Sequence, residues 1–438
     1  MNETASPSLR LELARIAGDA HVWDTLADLH RIAINHVVPS AMVAPGTVEE
    51  VAAVMRFAHE HKLVVAPAGG FVHQNIGRVP PPIDIVLLLN RLKQVEHYDP
   101  GDLTIGVGAG ITIAELDRLV SANRQLLPID PAANDRVTLG GAIATNTSGS
   151  FQHRFGGIRE FLLGVQFVTA DGKLAKAGGR VVKNVAGYDL MKLMTGSFGT
   201  LGVIVSANLK LFPRPQQFHT FISEFVSLRQ AIEYRDRILQ SPLSPLSLEL
   251  ASPEARTMIP DGGPPGAWAV YVRAGGSHAV LDRYRQELGA SVAREGEGAD
   301  EEMFWRTVAD WDQLWIRGKR NSVLLRASAP ATGVESALES ASIVANRIGL
   351  HWAALGRASG SFVVSFSNSE NVEKLAAVVS QYRQTLGPDS MAVIAHCPTA
   401  LKSLIDVWGS TPTNIAAMRA VRAALDPKQI LNRGRFLV

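Results

Sequence analysis

Between Thr138 and Ile204 about one residue in five is glycine, against the usual ~7 %. The run opens Thr138-Leu139-Gly140-Gly141-Ala142-Ile143-Ala144-Thr145-Asn146-Thr147-Ser148-Gly149 and closes Gly196-Ser197-Phe198-Gly199-Thr200-Leu201-Gly202-Val203-Ile204. These glycines are not strung together as in a flexible linker, because apolar, strand-like runs lie between them. Small residues in ordered backbone let the main chain approach a large flat ligand and offer it N–H groups with no Cβ in the way. A chain with this run is constrained to line a slot of dinucleotide or flavin size.

With 438 residues the chain is long enough for two or more domains, each with its own core. Lys and Arg number 43 against 41 Asp and Glu, which excludes the strong positive field that nucleic acid or an anionic membrane would need. Cys397 is the single cysteine. The chain can form no internal disulfide and cannot supply the roughly four thiolates that an iron–sulfur cluster usually takes, so any cluster would belong to a partner. Met1-Asn2-Glu3 starts no signal peptide, and no apolar run nears the ~20 residues of a membrane span. The expectation is a cytoplasmic protein.

Capping and periodicity give the organisation. Residues 1–40 read as a helical extension with Leu9, Leu13 and Ile16 on one face, closed by Pro39 and Pro45. Thr47-Val48-Glu49-Glu50 predicts a capping box in which Glu50 reaches back to the Thr47 amide, ahead of the stripe Val51, Val54, Met55 and Ala58. Strands are expected at 63–66, 83–89 and 103–107, a second capping box at Thr112 to Glu115, and a hairpin about Asp171-Gly172. Pro213-Arg214-Pro215 then changes the texture. From 218 to 295 the expected order is β-α-β-β-α-β; after a connecting helix over 301–311 it recurs from 323 to 396. Two such halves side by side make one antiparallel sheet with helices on a face. The fold class is α+β, divided into the extension (1–40), a glycine-punctuated domain (41–215), a cap (216–398) and a C-terminal segment returning to the first domain (399–438).

Two glycine loops invite a phosphate reading. Ile105-Gly106-Val107-Gly108-Ala109-Gly110 joins a strand to a helix, but a Rossmann fingerprint needs its third glycine at Ile111, and its acidic partner about 20 residues on, Asp130, sits in a Pro-flanked loop. That reading fails on both counts. Pro67-Ala68-Gly69-Gly70-Phe71-Val72-His73-Gln74 lacks the Lys-Ser/Thr pair of a P-loop; its successive amides suit an anion-binding nest for a pyrophosphate.

The loop 67–74, the stretch Leu103 to Leu116, the platform 138–149 and the blocks 181–193 and 196–204, in this order, resemble the FAD-binding domain of the vanillyl-alcohol oxidase (PCMH-type) superfamily. Within it, Val181-Val182-Lys183-Asn184-Val185-Ala186-Gly187-Tyr188-Asp189-Leu190 resembles the FAD-binding subunit of bacterial glycolate oxidases, the GlcE type. The resemblance covers roughly residues 40–215, with Phe304-Trp305 and Asn432-Arg433-Gly434-Arg435. It implies a PCMH-type domain of two α+β subdomains gripping FAD beneath an α+β cap, in keeping with the duplicated ferredoxin-like order.

Carried over by position, Pro67, Ala68, Gly69, Gly70, Phe71, Val72, His73 and Gln74 would wrap the pyrophosphate. Pro131, Thr138, Leu139, Gly140, Gly141, Thr145, Asn146, Ser148 and Gly149 would line the ribityl chain and ring, and Gly202, Val203 and Ile204 would meet the adenine side. Covalent members place the flavin-linking His directly after the Gly pair, where this chain has Phe71. His73 therefore reads as a surface or backbone-capping residue and the FAD as non-covalent. The His-x-Gly-Asp-Gly-Asn motif of metal-dependent relatives is absent, His153, His351 and His396 show no ligand spacing, and no metal is expected. Arg433 stands where Pro is usual.

Oxidation of a hydroxy acid needs its hydroxyl deprotonated and its carboxylate held near the flavin. Tyr188, Lys183 and Arg435 have that chemistry, though Lys183 and Tyr188 could equally anchor their glycine-rich loop. The implied function is the FAD-binding subunit of a glycolate (2-hydroxy-acid) oxidase complex, in which the absent metal motif suggests that a homologous partner oxidises the substrate while this flavin relays electrons toward an iron–sulfur subunit. Its partners would be a homologous FAD-containing subunit and an iron–sulfur subunit, with membrane contact only through them. Two alternatives stay open: a stand-alone FAD oxidase of another alcohol or hydroxy acid, and a non-catalytic structural flavoprotein subunit.

Overall fold

The computed structural model describes residues 7–180, 189–261, 263–264, 266–319, 321–367 and 371–438. The helix Pro7–Ala17 lays Leu9 and Leu13 into a core shared with the helix Val48–His61. In the latter, Val51, Val54, Met55 and Ala58 have no exposed surface, as their spacing demands. Thr47 Oγ1 caps it by accepting the Glu50 N–H. Glu50 does not return the bond to Thr47: its carboxylate accepts the N–H of Gly46, one residue further back, at 2.6 Å. The second box, at Thr112 and Glu115, is complete.

Two sheets build the first domain. One has the order Val22–Trp23, Ala41–Val43, Ile85–Leu88, Val65–Ala68, with its last three strands parallel. Ile85–Leu88 is buried throughout, which is why it reads as an unbroken apolar run. The other is antiparallel, in the order Val95–Asp99, Thr104–Gly108, Val203–Lys210, Leu162–Val168, Leu174–Gly178. The chain end joins the first sheet at its edge. The Val65 N–H donates to Ile430 O at 2.8 Å and the Asn432 N–H to Val65 O at 2.9 Å, so the last residues stand beside the loop that leaves Ala68.

The cap is a single eight-stranded antiparallel sheet, in the order Val292–Glu297, Gln217–Phe225, Trp268–Gly276, Ser247–Ala251, His351–Arg357, Ser361–Ser367, Val323–Ser328, Met391–His396. Each half places its strands fourth, first, third, second, and the halves join through their second strands. This is the expected duplication. Helices Leu228–Gln240, His278–Leu288, Val334–Ile348 and Val372–Thr385 cover one face over a core that includes Leu248, Leu250, Leu325 and Ala327. On the other face the single connecting helix expected over 301–311 is two helices, Gly298–Ala309 and Trp311–Gly318, which part at Asp310. Strand alternation sends Glu249 and Arg326 to this second face, and in the seam between the halves Glu249 stands directly opposite Arg357.

Candidate active site: a cleft joined to an arginine-lined chamber

The loop from Pro67 to Gln74 passes so close to the next layer that a Cβ on Gly70 would collide with the carbonyl oxygen of Arg136. Phe71 is left-handed, φ 58°, a conformation a bulky side chain holds only where its surroundings impose it. No described residue accepts the backbone N–H groups of Gly70, Phe71, Val72, His73 or Gln74. A curled run of unclaimed N–H groups is a nest for an anion such as a pyrophosphate. Arg435 holds the loop from behind. Its buried guanidinium donates to Gln74 Oε1 (2.9 Å), Gln74 O (2.6 Å), Ile76 O (3.2 Å) and Asn432 Oδ1 (2.9 Å), and burial lowers its pKa to about 10.

The facing wall is the helix Leu139–Thr145, whose first turn Thr138 Oγ1 caps through the Gly141 N–H. Helical spacing turns Gly140, Gly141, Ala144 and Thr145 to the cleft, while Leu139, Ala142 and Ile143 enter the core behind. Gly202 and Ile204 also face the cleft, and Val203 between them points into a core on the far side. The cleft runs between the loop and this wall, with Phe198, Gly199 and Asn432 also lining it.

His73 also lines a second cavity, walled by both domains. The first domain supplies Asp130, Asn146, Ser148, Gly149 and Ser150; the cap supplies Glu249, Trp311, Asp312, Arg326 and Arg357. Two hydrogen bonds tie the walls together: Arg357 Nε donates to Gly149 O at 2.6 Å, and the Ala133 N–H to Asp310 Oδ1 at 2.6 Å. The chamber is deep and polar, and its carboxyls show it. Burial raises Asp130 to about 6 and Glu249 to about 7, against the opposing pull of Arg273 and Arg357 respectively. Asp312 is raised by burial too, with Arg326 opposing. Asp130 Oδ1 accepts the Phe151 N–H at 3.2 Å, whereas Oδ2 is buried with no partner. Arg357 also donates to Ser361 Oγ (3.2 Å) and lies 3.8 Å from Glu249. Arg326 differs from it: its guanidinium makes no hydrogen bond or ion pair with any described residue. Burial disfavours its charge and Asp312 supports it.

Of the residues expected at the site, Pro67 to Gln74, Thr138, Gly140, Gly141, Thr145, Gly202, Ile204 and Arg435 line the cleft. Asn146, Ser148 and Gly149 line the chamber, Leu139 and Val203 lie in the cores, and Pro131 borders neither cavity. Lys183 and Tyr188 fall outside the described residues. Phe304 and Trp305 sit in the cap core, the Trp305 indole donating to Thr220 Oγ1 at 2.7 Å. His73 is no surface residue: it is the one side chain, among the described residues, in the walls of both cavities. Arg326, Arg357, Glu249, Asp312 and Asp130 went unread as site residues, although a lone charge inside an apolar strand such as Val323-Leu324-Leu325-Arg326-Ala327 is a signal. No group of three or more His, Cys, Asp or Glu among the described residues is placed to hold a metal ion, and no described helix is long and apolar enough to cross a membrane.

Residues 39–178 match a family model described as an FAD binding domain, and 409–436 match the C-terminal domain of FAD linked oxidases. The chain is 25% identical to glycolate oxidase subunit GlcD of Bacillus subtilis, over 91% of this chain and 89% of that one. It is 28% identical to a D-lactate dehydrogenase of Archaeoglobus fulgidus, over 96% of both. Similarity to glycolate oxidase subunit GlcE of Escherichia coli is 35%, over 36% of this chain and 44% of that one. The glycolate oxidase likeness thus extends along the whole chain toward GlcD and along one part toward GlcE. The structure of p-cresol methylhydroxylase superposes with a TM-score of 0.77 at 18% identity, over 98% of this chain and 96% of that one. The unclaimed N–H groups of the loop and the flat glycine wall fit FAD. The chain is an FAD-dependent oxidoreductase with the PCMH-type FAD-binding fold.

Proposed function

We propose that the protein oxidises a small 2-hydroxy acid, as the FAD-binding subunit of a glycolate-oxidase-type assembly that hands the electrons to an iron–sulfur partner. The observation that carries this reading is the Arg326 guanidinium, half-buried, without a hydrogen bond or ion pair to a described residue, and facing a chamber that shares His73 with the flavin cleft. A planar fork of donors without a partner is matched by a carboxylate, which it can bind through two parallel hydrogen bonds. Asn146, Ser148 and Ser150 in the chamber wall offer polar groups to the rest of a small polar substrate. FAD bound in the cleft supplies a two-electron acceptor for the C–H bond. Relatives named as glycolate oxidase subunits and as D-lactate dehydrogenase support the substrate class. The single cysteine supports an external electron carrier. The arginine-lined chamber favours oxidation in this chain over a pure relay role.

Anaerobic mixing of the purified holoprotein with glycolate and with D-lactate tests this directly, and bleaching of the flavin is expected. Arg326→Met should weaken the productive hydroxy acid by about 1.5–3 kcal/mol, roughly 10- to 150-fold. A flavin that stays oxidised with both acids, or an Arg326→Met variant that binds them as well as the parent, would remove the substrate assignment. Purification from the native host, with iron and flavin counted, tests the assembly.

A further inference from the structure

We propose that the His73 imidazole, which stands between the flavin cleft and the chamber, is the proton acceptor for the substrate hydroxyl. The proposal rests on the hydroxy-acid reading above. Its first support is position. Among the described residues only His73 lines both cavities, so its side chain lies between the flavin cleft and a substrate whose carboxylate rests on Arg326 in the chamber. The second support is availability: the His73 ring makes no hydrogen bond to any described residue.

The other titratable groups of the two cavities are engaged or lie outside the cleft. Asp130 accepts a backbone N–H at Oδ1 and keeps Oδ2 free but lies outside the cleft, Glu249 faces Arg357 across the sheet seam, and the Asp312 carboxylate accepts the Gln313 N–H at 2.7 Å. None of the three lines the cleft, and Arg435, which does, is committed to the loop. The field at His73 then suits the role. Burial first and the Arg326 charge second lower its pKa to about 3, so the ring is neutral with a lone pair free. A substrate carboxylate on Arg326 cancels the second of these causes. The imidazole therefore gains basicity only when substrate is present. In the step, the C–H bond leaves with its electron pair as a hydride to the FAD, the O–H proton passes to His73, and the carbon–oxygen double bond forms. The flavin gains two electrons and His73 one proton, later lost to solvent.

The test uses holoprotein with His73→Asn, His73→Gln and Arg326→Met, and oxalate as a probe that binds without reacting. Oxalate binding, read from the flavin absorbance, should change less than about threefold in the His73 variants at pH 8, while flavin reduction by D-lactate slows roughly a hundredfold or more. A second readout needs no turnover: at pH 6, wild type should take up more protons per oxalate bound than either His73 variant, measured with an indicator dye in unbuffered solution. Equal proton uptake, unchanged reduction rates, or loss of FAD from both His73 variants would overturn the role. Unaltered oxalate binding in Arg326→Met would instead strike the substrate reading, whatever His73 does.

Discussion

Gly140 and Gly141 look interchangeable in the sequence, yet the structure predicts opposite outcomes for the same substitution. A Cβ on Gly141 would meet only Thr138 Oγ1, at 3.2 Å, a contact relieved by a small shift of that hydroxyl. Neither glycine has a positive φ, so no backbone strain is added. Replacing Gly within a helix gains back some of the ~1 kcal/mol that Gly forfeits against Ala. The apoprotein of Gly141→Val should thus be within about 1 kcal/mol of wild type. The rest of the valine side chain enters the cleft, where overpacking against the cofactor costs about 1–3 kcal/mol, roughly a 5- to 150-fold weaker Kd for FAD. Gly140→Val behaves otherwise. Its Cβ would sit 2.9 Å from Ala109 Cβ and 3.2 Å from Ala109 O, the oxygen that accepts the Gly140 N–H at 2.8 Å, so the apoprotein itself should lose stability. Titration of apoprotein with FAD by fluorescence quenching, with thermal unfolding of each apoprotein, separates the two effects. Melting must be compared without flavin, because a bound ligand raises Tm by mass action. Wild-type FAD affinity and an unaltered spectrum in Gly141→Val would refute the placement of the cleft wall.

Acid precipitation should release the FAD into the supernatant, since Phe71 follows the Gly pair; colour held in the pellet would point to a bond with His73. Glu249→Gln should stabilise the protein by about 2 kcal/mol more at pH 8 than at pH 5. The reason is that burial raises the folded-state pKa of Glu249 to about 7, so the cost of its charge is present at pH 8 and relieved by protonation at pH 5; equal effects in urea titrations at the two pH values would contradict this. Arg435→Lys should lower FAD occupancy and Tm together while leaving turnover per bound flavin close to wild type, because Arg435 holds the loop through Gln74 and Ile76; a fall in turnover at full occupancy would make it catalytic.

What could be read in the sequence was what local rules control. The caps at Thr47 and Thr112, the stripe from Val51 to Ala58 and the doubled β-α-β-β-α-β order each depend on residues a few positions apart, and each is present. The break at Asp310 was not legible, because Asp310 is drawn out of the helix by a bond to the Ala133 N–H, 177 positions away. The pairing of Glu50 with Gly46 in place of Thr47 shows how little a capping pattern fixes beyond its own turn. Within the cleft, Leu139 and Val203 were grouped with their neighbours by sequence proximity, although helical and strand periodicity separate them from Gly140, Gly141, Gly202 and Ile204.

The chamber was missed for a more general reason. Glu249, Arg326 and Arg357 lie in strands of the cap sheet, where an alternating polar residue ordinarily marks the solvated face. Here both faces are covered, one by the four helices and the other by Gly298–Ala309, Trp311–Gly318 and the first domain. In the inner strands of such a sheet few positions reach bulk water, all five residues of Ser247–Ala251 being buried, and a buried charge costs several kcal/mol unless something answers it. A charged side chain in a doubly covered strand therefore has two outcomes, a salt bridge or a cavity wall. Glu249 and Arg357 meet across the seam at 3.8 Å and share the first outcome in part. Arg326, with Leu325 and Ala327 on either side packed into the helix-covered core, has only the second. Asp312 supports its charge across the chamber without a direct ion pair, which leaves its donors for an anion that enters there.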